Sequence, residues 1–298
     1  MPSRIIVIGG DGLIGRGVVS RLRRTEIETI CTTRQKENIS RDRLYLDLAD
    51  DPANWPSLPA AEAAVFCAGI VGFENCRSAP HKTWLVNVDR TILLAERLVS
   101  RSSRLVYLSS NAVFDGSHPH ADIDTPCAPN TEYGRQKAAA DRQFLSYGRQ
   151  TAVLRLSKVL FPGLPMLAHW ADRLKTGRTI EAASNIRRSP LPLDYVVTLI
   201  LRLLEGPASG LFHASGDEDI PNDEFARMLA RGMGADPGLV QSVQTANHED
   251  LHPHTTMNST RVATELSLPP PPSRATINSA VAAFVSKFPL TGNDRQVS

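Results

Sequence analysis

The chain has 298 residues, enough for one large α/β domain or for a nucleotide-binding domain with a smaller partner. A net charge of +2, with 42% hydrophobic and 21% charged residues, is typical of a globular protein and excludes strong electrostatic attraction to nucleic acid or an anionic membrane. No apolar run approaches the roughly 20 residues of a membrane-spanning helix, and the N-terminus is not typical of a signal peptide. The four cysteines form no C-x-x-C pair and are expected to be reduced, so a cytoplasmic enzyme or binding protein is predicted.

Apolar segments rich in β-branched residues alternate with amphipathic segments along the first 160 residues. Strands that are apolar throughout and separated by helices are typical of a parallel sheet covered on both faces. The predicted fold class is therefore α/β, with a Rossmann-like doubly wound parallel sheet at residues 1–160. Strands are predicted at 4–9, 26–33, 42–48, 63–69, 104–110 and 151–157, and helices at 13–24, 81–101 and 133–147.

After residue 160 the pattern changes to helices that end at glycines, as a helix C-cap often does. Residues 161–298 are predicted to form a smaller, mixed substrate-binding region, part of which can pack back on the Rossmann sheet. Helices are predicted at 165–177, 196–206, 222–234 and 274–288, with a short strand at 210–216.

The first predicted strand runs directly into "IIVIGGDGLIGRG", a stretch with five glycines. Gly10 opens one reading, G-x-G-x-x-G, and Gly9 opens another, G-x-x-G-x-x-G. A glycine turn between a strand and a helix brings backbone N–H groups and the positive end of the helix dipole to one point, which suits a pyrophosphate. The predicted cradle comprises Gly9, Gly12, Leu13, Ile14 and Gly15.

The end of the second predicted strand bears on the choice of dinucleotide. An acidic residue about 20 residues after the glycine turn takes the ribose 2′-hydroxyl in NAD-binding proteins, but "CTTRQK" has no acid there. Thr33 and Arg34 suit a 2′-phosphate, and Arg16 could add a second positive charge. NADP(H) is therefore favoured and NAD(H) stays open. Asp47, followed by Leu48, is placed either to meet the adenine amino group or to form a turn.

Tyr133 and Lys137 lie four residues apart on a predicted helix and therefore share one face. A tyrosine has a pKa of about 10 and is a poor acid–base catalyst near neutral pH, but a neighbouring ammonium stabilises the phenolate and lowers that pKa. Ser110, at the end of a strand, can offer its hydroxyl to the same substrate oxygen. Asn87 could hold a proton-relay water or the helix geometry near Lys137.

In this order and spacing the motifs resemble the extended short-chain dehydrogenase/reductase superfamily. The shared features are the G-x-x-G-x-x-G register, then Asp47-Leu48, Asn87, Ser110 and Tyr133-x-x-x-Lys137. Within the superfamily, "LSSNAVFDG", "EYGRQKAAAD", "VLRLSKVLFPG" and "GLFHASGDEDIPNDEFARMLA" are most similar to dTDP-4-dehydrorhamnose reductases and related sugar-nucleotide reductases, over nearly the whole chain.

The resemblance implies an NAD(P)-dependent oxidoreductase that reduces a keto group of a nucleotide-linked sugar. Tyr133 would exchange the carbonyl proton, Lys137 would bind the nicotinamide ribose and depress the tyrosine pKa, and Ser110 would polarise the carbonyl. Further cofactor contacts are implied at Cys67, Ala68 and Gly69.

Two segments depart from the reductase pattern and leave the sugar open. Asn111-Ala112 stands where these reductases usually carry Asp-Tyr, and "CAGIVGFENC" replaces an alanine-rich stretch with Tyr-Thr. Asn111, Arg187 and Arg188 are the candidate substrate contacts. The two arginines suit a nucleotide diphosphate, although simple solvation explains them equally well.

Two alternatives stay open at this point. One is an NAD-dependent sugar-nucleotide epimerase or dehydratase, and the other, from a different class, is a non-catalytic dinucleotide-binding regulatory subunit. No metal site is expected at His248, His252 and His254, because no carboxylate or cysteine stands at supporting spacing. The expected partner is a nucleotide-sugar substrate, without nucleic acid or membrane, and a homodimer is left open.

Overall fold

The computed structural model describes residues 2–246 and 252–287. Its strands are β1 (Arg4–Ile8), β2 (Glu28–Thr33), β3 (Arg43–Tyr45), β4 (Ala63–Phe66), β5 (Arg104–Ser110), β6 (Thr151–Leu156), β7 (Val159–Leu160), β8 (Ile180–Ala183), β9 (Arg187–Arg188), β10 (Leu191–Pro192), β11 (Gly210–Ala214), β12 (Ile220–Pro221) and β13 (Val240–Val243). Its α-helices are α1 (Leu13–Leu22), α2 (Phe73–Ser78), α3 (Pro80–Trp84), α4 (Thr91–Val99), α5 (Glu132–Ser146), α6 (Pro165–Lys175), α7 (Leu193–Glu205), α8 (Asn222–Met233), α9 (Thr260–Glu265) and α10 (Ser273–Lys287).

Seven strands form one sheet in the order β11-β6-β5-β4-β1-β2-β3. Every neighbouring pair in this sheet is parallel. The order reverses between β1 and β4, which is the switch point where parallel sheets of this kind bind ligands at their carboxyl edge. The predicted Rossmann-like doubly wound α/β fold is confirmed.

The sheet is covered on both faces because its strands are apolar on both faces. Along β1, Ile5 and Val7 pack into one core while Ile6 and Ile8 pack into the other, as the two-residue period of a strand requires. Helices α1, α7 and α9 cover the first face, and α4 and α5 cover the second.

A separate core lies in the second half of the chain. It is formed largely by α6, α8 and α10, with Trp170 packing edge-to-face on Phe225 at 5.7 Å between ring centroids. By contrast, β11 belongs to the Rossmann sheet, where it pairs with β6. Helix α7 packs on that sheet beside α1, and a Cβ at Gly17 of α1 would lie 2.8 Å from Val197 of α7. The boundary near residue 160 stays a prediction.

The predicted helix at 81–101 is built in three parts. Helix α3 passes into a wider π-helical turn at Leu85–Arg90 and then into α4. The hydroxyl of Thr91 donates to the carbonyl of Val86, five residues earlier. No helix in the described ranges is long and apolar enough to cross a membrane.

Candidate active site

A cavity of about 420 Å³ lies at the carboxyl edge of β1, β2 and β4 and beside the segment after β3. Because the carboxyl ends of parallel strands meet at one edge, residues far apart in the sequence come together here. Nine of the predicted cofactor contacts line this cavity: Gly9, Gly12, Thr33, Arg34, Asp47, Leu48, Cys67, Ala68 and Gly69.

The glycine turn is shaped by close backbone packing. Gly9 has φ of +86°, and a Cβ there would lie 2.6 Å from the backbone nitrogen of Ala68. A Cβ at Gly15 would lie 2.2 Å from the carbonyl oxygen of Gly9. At Gly12 an added Cβ would lie at an ordinary contact distance, 3.6 Å from the carbonyl oxygen of Gly9, so packing within the chain does not require a glycine there.

Gly12 is also the N-cap of α1 and supplies no side-chain cap. The first N–H groups of the helix, which include those of Leu13 and Ile14, lack intrahelical acceptors and suit an anion. The cradle therefore fits a dinucleotide pyrophosphate. Gly10 instead packs against β2, where a Cβ would lie 2.8 Å from Cys31.

At the end of β2 the Thr33 hydroxyl is already engaged within the chain. It donates to Asp11 at 2.5 Å and accepts from the backbone N–H of Gln35 at 2.9 Å. Arg43 pairs with the other Asp11 oxygen at 2.7 Å. Asp11 was missed by the sequence reasoning although it lies inside the glycine stretch, because its contacts are with residues 22 and 32 positions away.

Two other predicted cofactor residues have specific local settings. Asp47 accepts the backbone N–H of Ala49 at 2.9 Å, so its turn role is observed, and it also lines the cavity. The adenine contact stays a prediction. Arg16 does not line the cavity; it borders a neighbouring depression with Arg23 and Arg43.

Helix α5 carries Tyr133 against the turn that follows β5. Ser110 starts this turn, since its hydroxyl accepts the N–H of Ala112 at 3.1 Å. A Cβ at Gly134 would lie only 2.0 Å from the carbonyl oxygen of Ala112, so the glycine lets the helix approach. Burial raises the pKa of Tyr133 above its ordinary value, and a hydrogen bond with Ser110 opposes that shift.

Lys137 is buried one turn further along α5. Its ammonium donates to the Tyr107 hydroxyl at 3.1 Å and to the Leu108 carbonyl at 2.8 Å. The Nζ atom lies 5.9 Å from the ring centroid of Tyr133. Burial lowers the pKa of Lys137 to about 8, with the Asp141 carboxylate opposing the shift.

The expected depression of the Tyr133 pKa is not observed in this structure, where burial raises that pKa, and it stays a prediction for the site with the dinucleotide bound. Burial outweighs the other influences, and the Lys137 ammonium is turned toward Tyr107 and Leu108. The charge of Lys137 acts on Cys67 in the cavity lining: burial raises the pKa of Cys67 to about 12, and Lys137 opposes that shift.

Asn87 joins the loop after β4 to α5. Its Oδ1 accepts the N–H of Ile70 at 2.7 Å, and its Nδ2 donates to the Ile70 carbonyl and to Gln136 Oε1, both at 2.8 Å. Asn87 was predicted either to hold a proton-relay water or to hold the helix geometry near Lys137, and these contacts support the second role.

The candidate substrate residues lie on two different segments. Asn111 opens the turn beside Ser110, whereas Arg187 and Arg188 form β9. The Arg188 guanidinium donates to Asn222 at 2.9 Å. Burial lowers the pKa of Lys158, and so does the charge of Arg188 close by. Within the described ranges neither of these two cations forms an ion pair with a carboxylate, and Lys158 was missed by the sequence reasoning.

Two of the three histidines singled out earlier lie in the described part of the chain, and each has its own contact. His254 contacts Asp219 at 2.9 Å, and the His252 ring packs on Phe73 at 5.2 Å between centroids. His248 lies outside the described residues. No group of three His, Cys, Asp or Glu able to hold a metal was found in the described part of the chain.

Comparison with known proteins places these residues in a family. A model described as "RmlD substrate binding domain" matches residues 3–286. The chain belongs to this family. The RmlD-type chain is 27% identical over 300 residues, 99% of each chain, to the dTDP-4-keto-6-deoxy-D-glucose reductase of Streptomyces niveus. It is 26% identical over 241 residues to methionine adenosyltransferase 2 subunit beta of Xenopus tropicalis, covering 76% of this chain and 71% of that one.

Solved structures of RmlD-type proteins share the fold. The dTDP-4-dehydrorhamnose reductase of Bacillus anthracis str. Ames in complex with NADP matches with a TM-score of 0.77, at 18% identity, over 96% of this chain and 99% of that chain. The resemblance to extended short-chain dehydrogenases/reductases, and within them to sugar-nucleotide reductases, is confirmed.

Proposed function

We propose that the protein is an NAD(P)-dependent reductase of the extended short-chain dehydrogenase/reductase type that reduces a keto group of a nucleotide-linked sugar, as dTDP-4-dehydrorhamnose reductases do. The observation that carries the proposal is the cavity at the glycine turn together with Tyr133 and Lys137 of α5. Tyr133 is hydrogen-bonded with Ser110, and the charge of Lys137 acts on Cys67 in the cavity lining. Membership of the RmlD family and the full-length similarity to the Streptomyces niveus reductase support it.

The bound dinucleotide would supply a hydride, and the side chains would supply the proton. Because burial raises its pKa, the Tyr133 phenol keeps its proton at neutral pH and can donate it to the keto oxygen. Ser110 accepts the N–H of Ala112 and is hydrogen-bonded with Tyr133, so its hydroxyl lies beside the phenol and would donate to the same keto oxygen once the substrate is bound. The Lys137 ammonium, whose Nζ lies 5.9 Å from the Tyr133 ring centroid, would stabilise the phenolate that forms.

For the cofactor, Gly9, Gly12 and Gly15 would hold the pyrophosphate at the start of α1. Arg34 lines the cavity and favours NADP(H) by offering a guanidinium to the 2′-phosphate. NAD(H) is the second candidate, because the Thr33 hydroxyl donates to Asp11 and is therefore not available to a 2′-phosphate.

For the substrate, Arg188 and Lys158 would bind the diphosphate of the nucleotide. Two neighbouring cations without a carboxylate partner repel each other, and an anion placed between them relieves that repulsion. Arg187 and Asn111 are further proposed contacts, the latter on the side of the sugar. The proposed compartment is the cytoplasm, where the four free cysteines stay reduced; a homodimer stays a prediction.

The proposal is tested by mixing the purified protein with reduced dinucleotide and a dTDP-4-keto-6-deoxy sugar, and following nicotinamide absorbance. A reductase consumes both in equal amounts over many turnovers. An epimerase or dehydratase keeps its dinucleotide bound and shows no net consumption. A protein that binds the dinucleotide and converts none of a panel of keto-sugar nucleotides would instead be a regulatory subunit. The similarity to methionine adenosyltransferase 2 subunit beta is the reason to test this alternative.

A further inference from the structure

Asp11 places a carboxylate at the end of β2, a strand end that has no acidic residue of its own. In NAD-binding sheets the carboxylate that takes the ribose 2′-hydroxyl comes from the end of the second strand. Here β2 ends in Thr33, and the following residue is Arg34. Asp11 reaches this strand end from the glycine turn and lines the same cavity as Thr33 and Arg34.

The Asp11 carboxylate is held in place on two sides. Oδ2 accepts the Thr33 hydroxyl at 2.5 Å, and Oδ1 accepts Arg43 at 2.7 Å. The side chain keeps 29% of its surface exposed, and Arg43 keeps 21%. A carboxylate has about four acceptor positions, so two such bonds leave capacity for a further hydroxyl donor.

From this arrangement we infer that Asp11 is the residue that sets the choice between NAD(H) and NADP(H). Its carboxylate accepts the adenosine ribose hydroxyl of NAD(H), replacing the acid that β2 lacks. The same negative charge opposes a 2′-phosphate, while Arg34 attracts one. The inference rests on the proposed dinucleotide-binding function and assigns the ribose contact to the glycine turn.

Arg43 moderates the effect of Asp11. Because Arg43 pairs with the carboxylate and does not itself line the cavity, it weakens the repulsion of a 2′-phosphate without abolishing it. Removing Asp11 and removing Arg43 must therefore shift the relative affinity for NADP(H) and NAD(H) in opposite directions. This opposition separates a role in charge discrimination from a merely structural one.

The test measures binding and needs no turnover. Calorimetric titration with ADP-ribose and with its 2′-phosphate gives the ratio of the two dissociation constants, and it isolates the adenosine half of the dinucleotide. Asp11→Asn keeps the shape and removes the charge. The matched control is Asp50→Asn, since Asp50 accepts the Tyr45 hydroxyl at 3.1 Å beyond the end of β3 and does not line the cavity.

Asp11→Asn is expected to shift the ratio by about tenfold toward the 2′-phosphate ligand, the scale of one hydrogen bond to a charged group. Arg43→Gln is expected to shift it the other way, and Asp50→Asn to leave it within about twofold of the wild-type ratio. An unchanged ratio in Asp11→Asn, an equal change for both ligands, or shifts of the same sign in the Asp11 and Arg43 variants would overturn the inference alone. If the wild-type protein bound neither ligand, the proposed function would fall with it.

Discussion

The ribose end of the cavity and the N-terminal end of α5, which carries the proposed catalytic residues, use charge in different ways. At the ribose end, Asp11 and Arg43 are 29% and 21% exposed and pair with each other. At the catalytic end, Lys137 is buried, and burial shifts the pKa values of both Tyr133 and Lys137. Water-accessible charges select among ligands by modest differences in affinity, whereas buried groups control where a proton resides. Substitutions at the two ends should therefore affect different measured quantities.

The largest effect is expected from Tyr133→Phe, because it removes the proposed proton donor and leaves the ring in place. Turnover should fall by about 1000-fold, within the range of general acid–base catalysis. Dinucleotide affinity should be unchanged, as measured by fluorescence titration. Tyr147→Phe is the matched control at the end of the same helix, where Tyr147 packs on Phe144, and it should keep full turnover.

Gly134→Ala is expected to have the next largest effect. The new Cβ would lie 2.0 Å from the Ala112 carbonyl oxygen, so α5 must move away from the turn that holds Ser110. A displacement of this kind costs turnover about 100-fold. Ala139→Gly serves as the control, because it weakens the same helix by about 1 kcal/mol without a collision. Equal turnover in the two variants at matched stability would show that the close approach is not needed.

The pH dependence of turnover should report Lys137. Burial lowers its pKa to about 8, so the ammonium is present below that pH and is lost above it. Loss of the charge removes the stabilisation of the Tyr133 phenolate, and turnover should fall as pH rises through about 8. Lys137→Arg keeps its charge at these pH values, and its profile should lack this alkaline limb. A limb at the same pH in that variant would assign it to another group.

The smallest effect is expected at the ribose end, from Arg34→Gln. NADPH affinity should fall by about tenfold, as for one hydrogen bond to a charged group. NADH affinity and turnover at saturating cofactor should be unchanged. Parallel titrations with both dinucleotides make the comparison. Equal losses for NADH and NADPH would mean that Arg34 shapes the cavity and does not select the phosphate.

The fold could be predicted, and Tyr133 and Lys137 could be proposed as a catalytic pair, because these signals are local. The strand–glycine–helix order around Gly9 and the four-residue spacing of Tyr133 and Lys137 both follow from short-range periodicity. The sheet to which β11 belongs depends on contacts with β6, more than 50 positions earlier, and no local pattern records it. No local pattern records the Asp11 contacts with Thr33 and Arg43 either, or the hydrogen bond that the Lys137 ammonium donates to Tyr107.

The proposed function is tested most directly by following the hydride itself. The protein is incubated with a dTDP-4-keto-6-deoxy sugar and NADPH or NADH in which deuterium replaces both hydrogens at nicotinamide C4, and the product is examined by mass spectrometry. A reductase of the proposed type places one deuterium in the sugar for each dinucleotide oxidised, and Tyr133→Phe places almost none in the same time. An unlabelled sugar product with unconsumed dinucleotide would contradict the account.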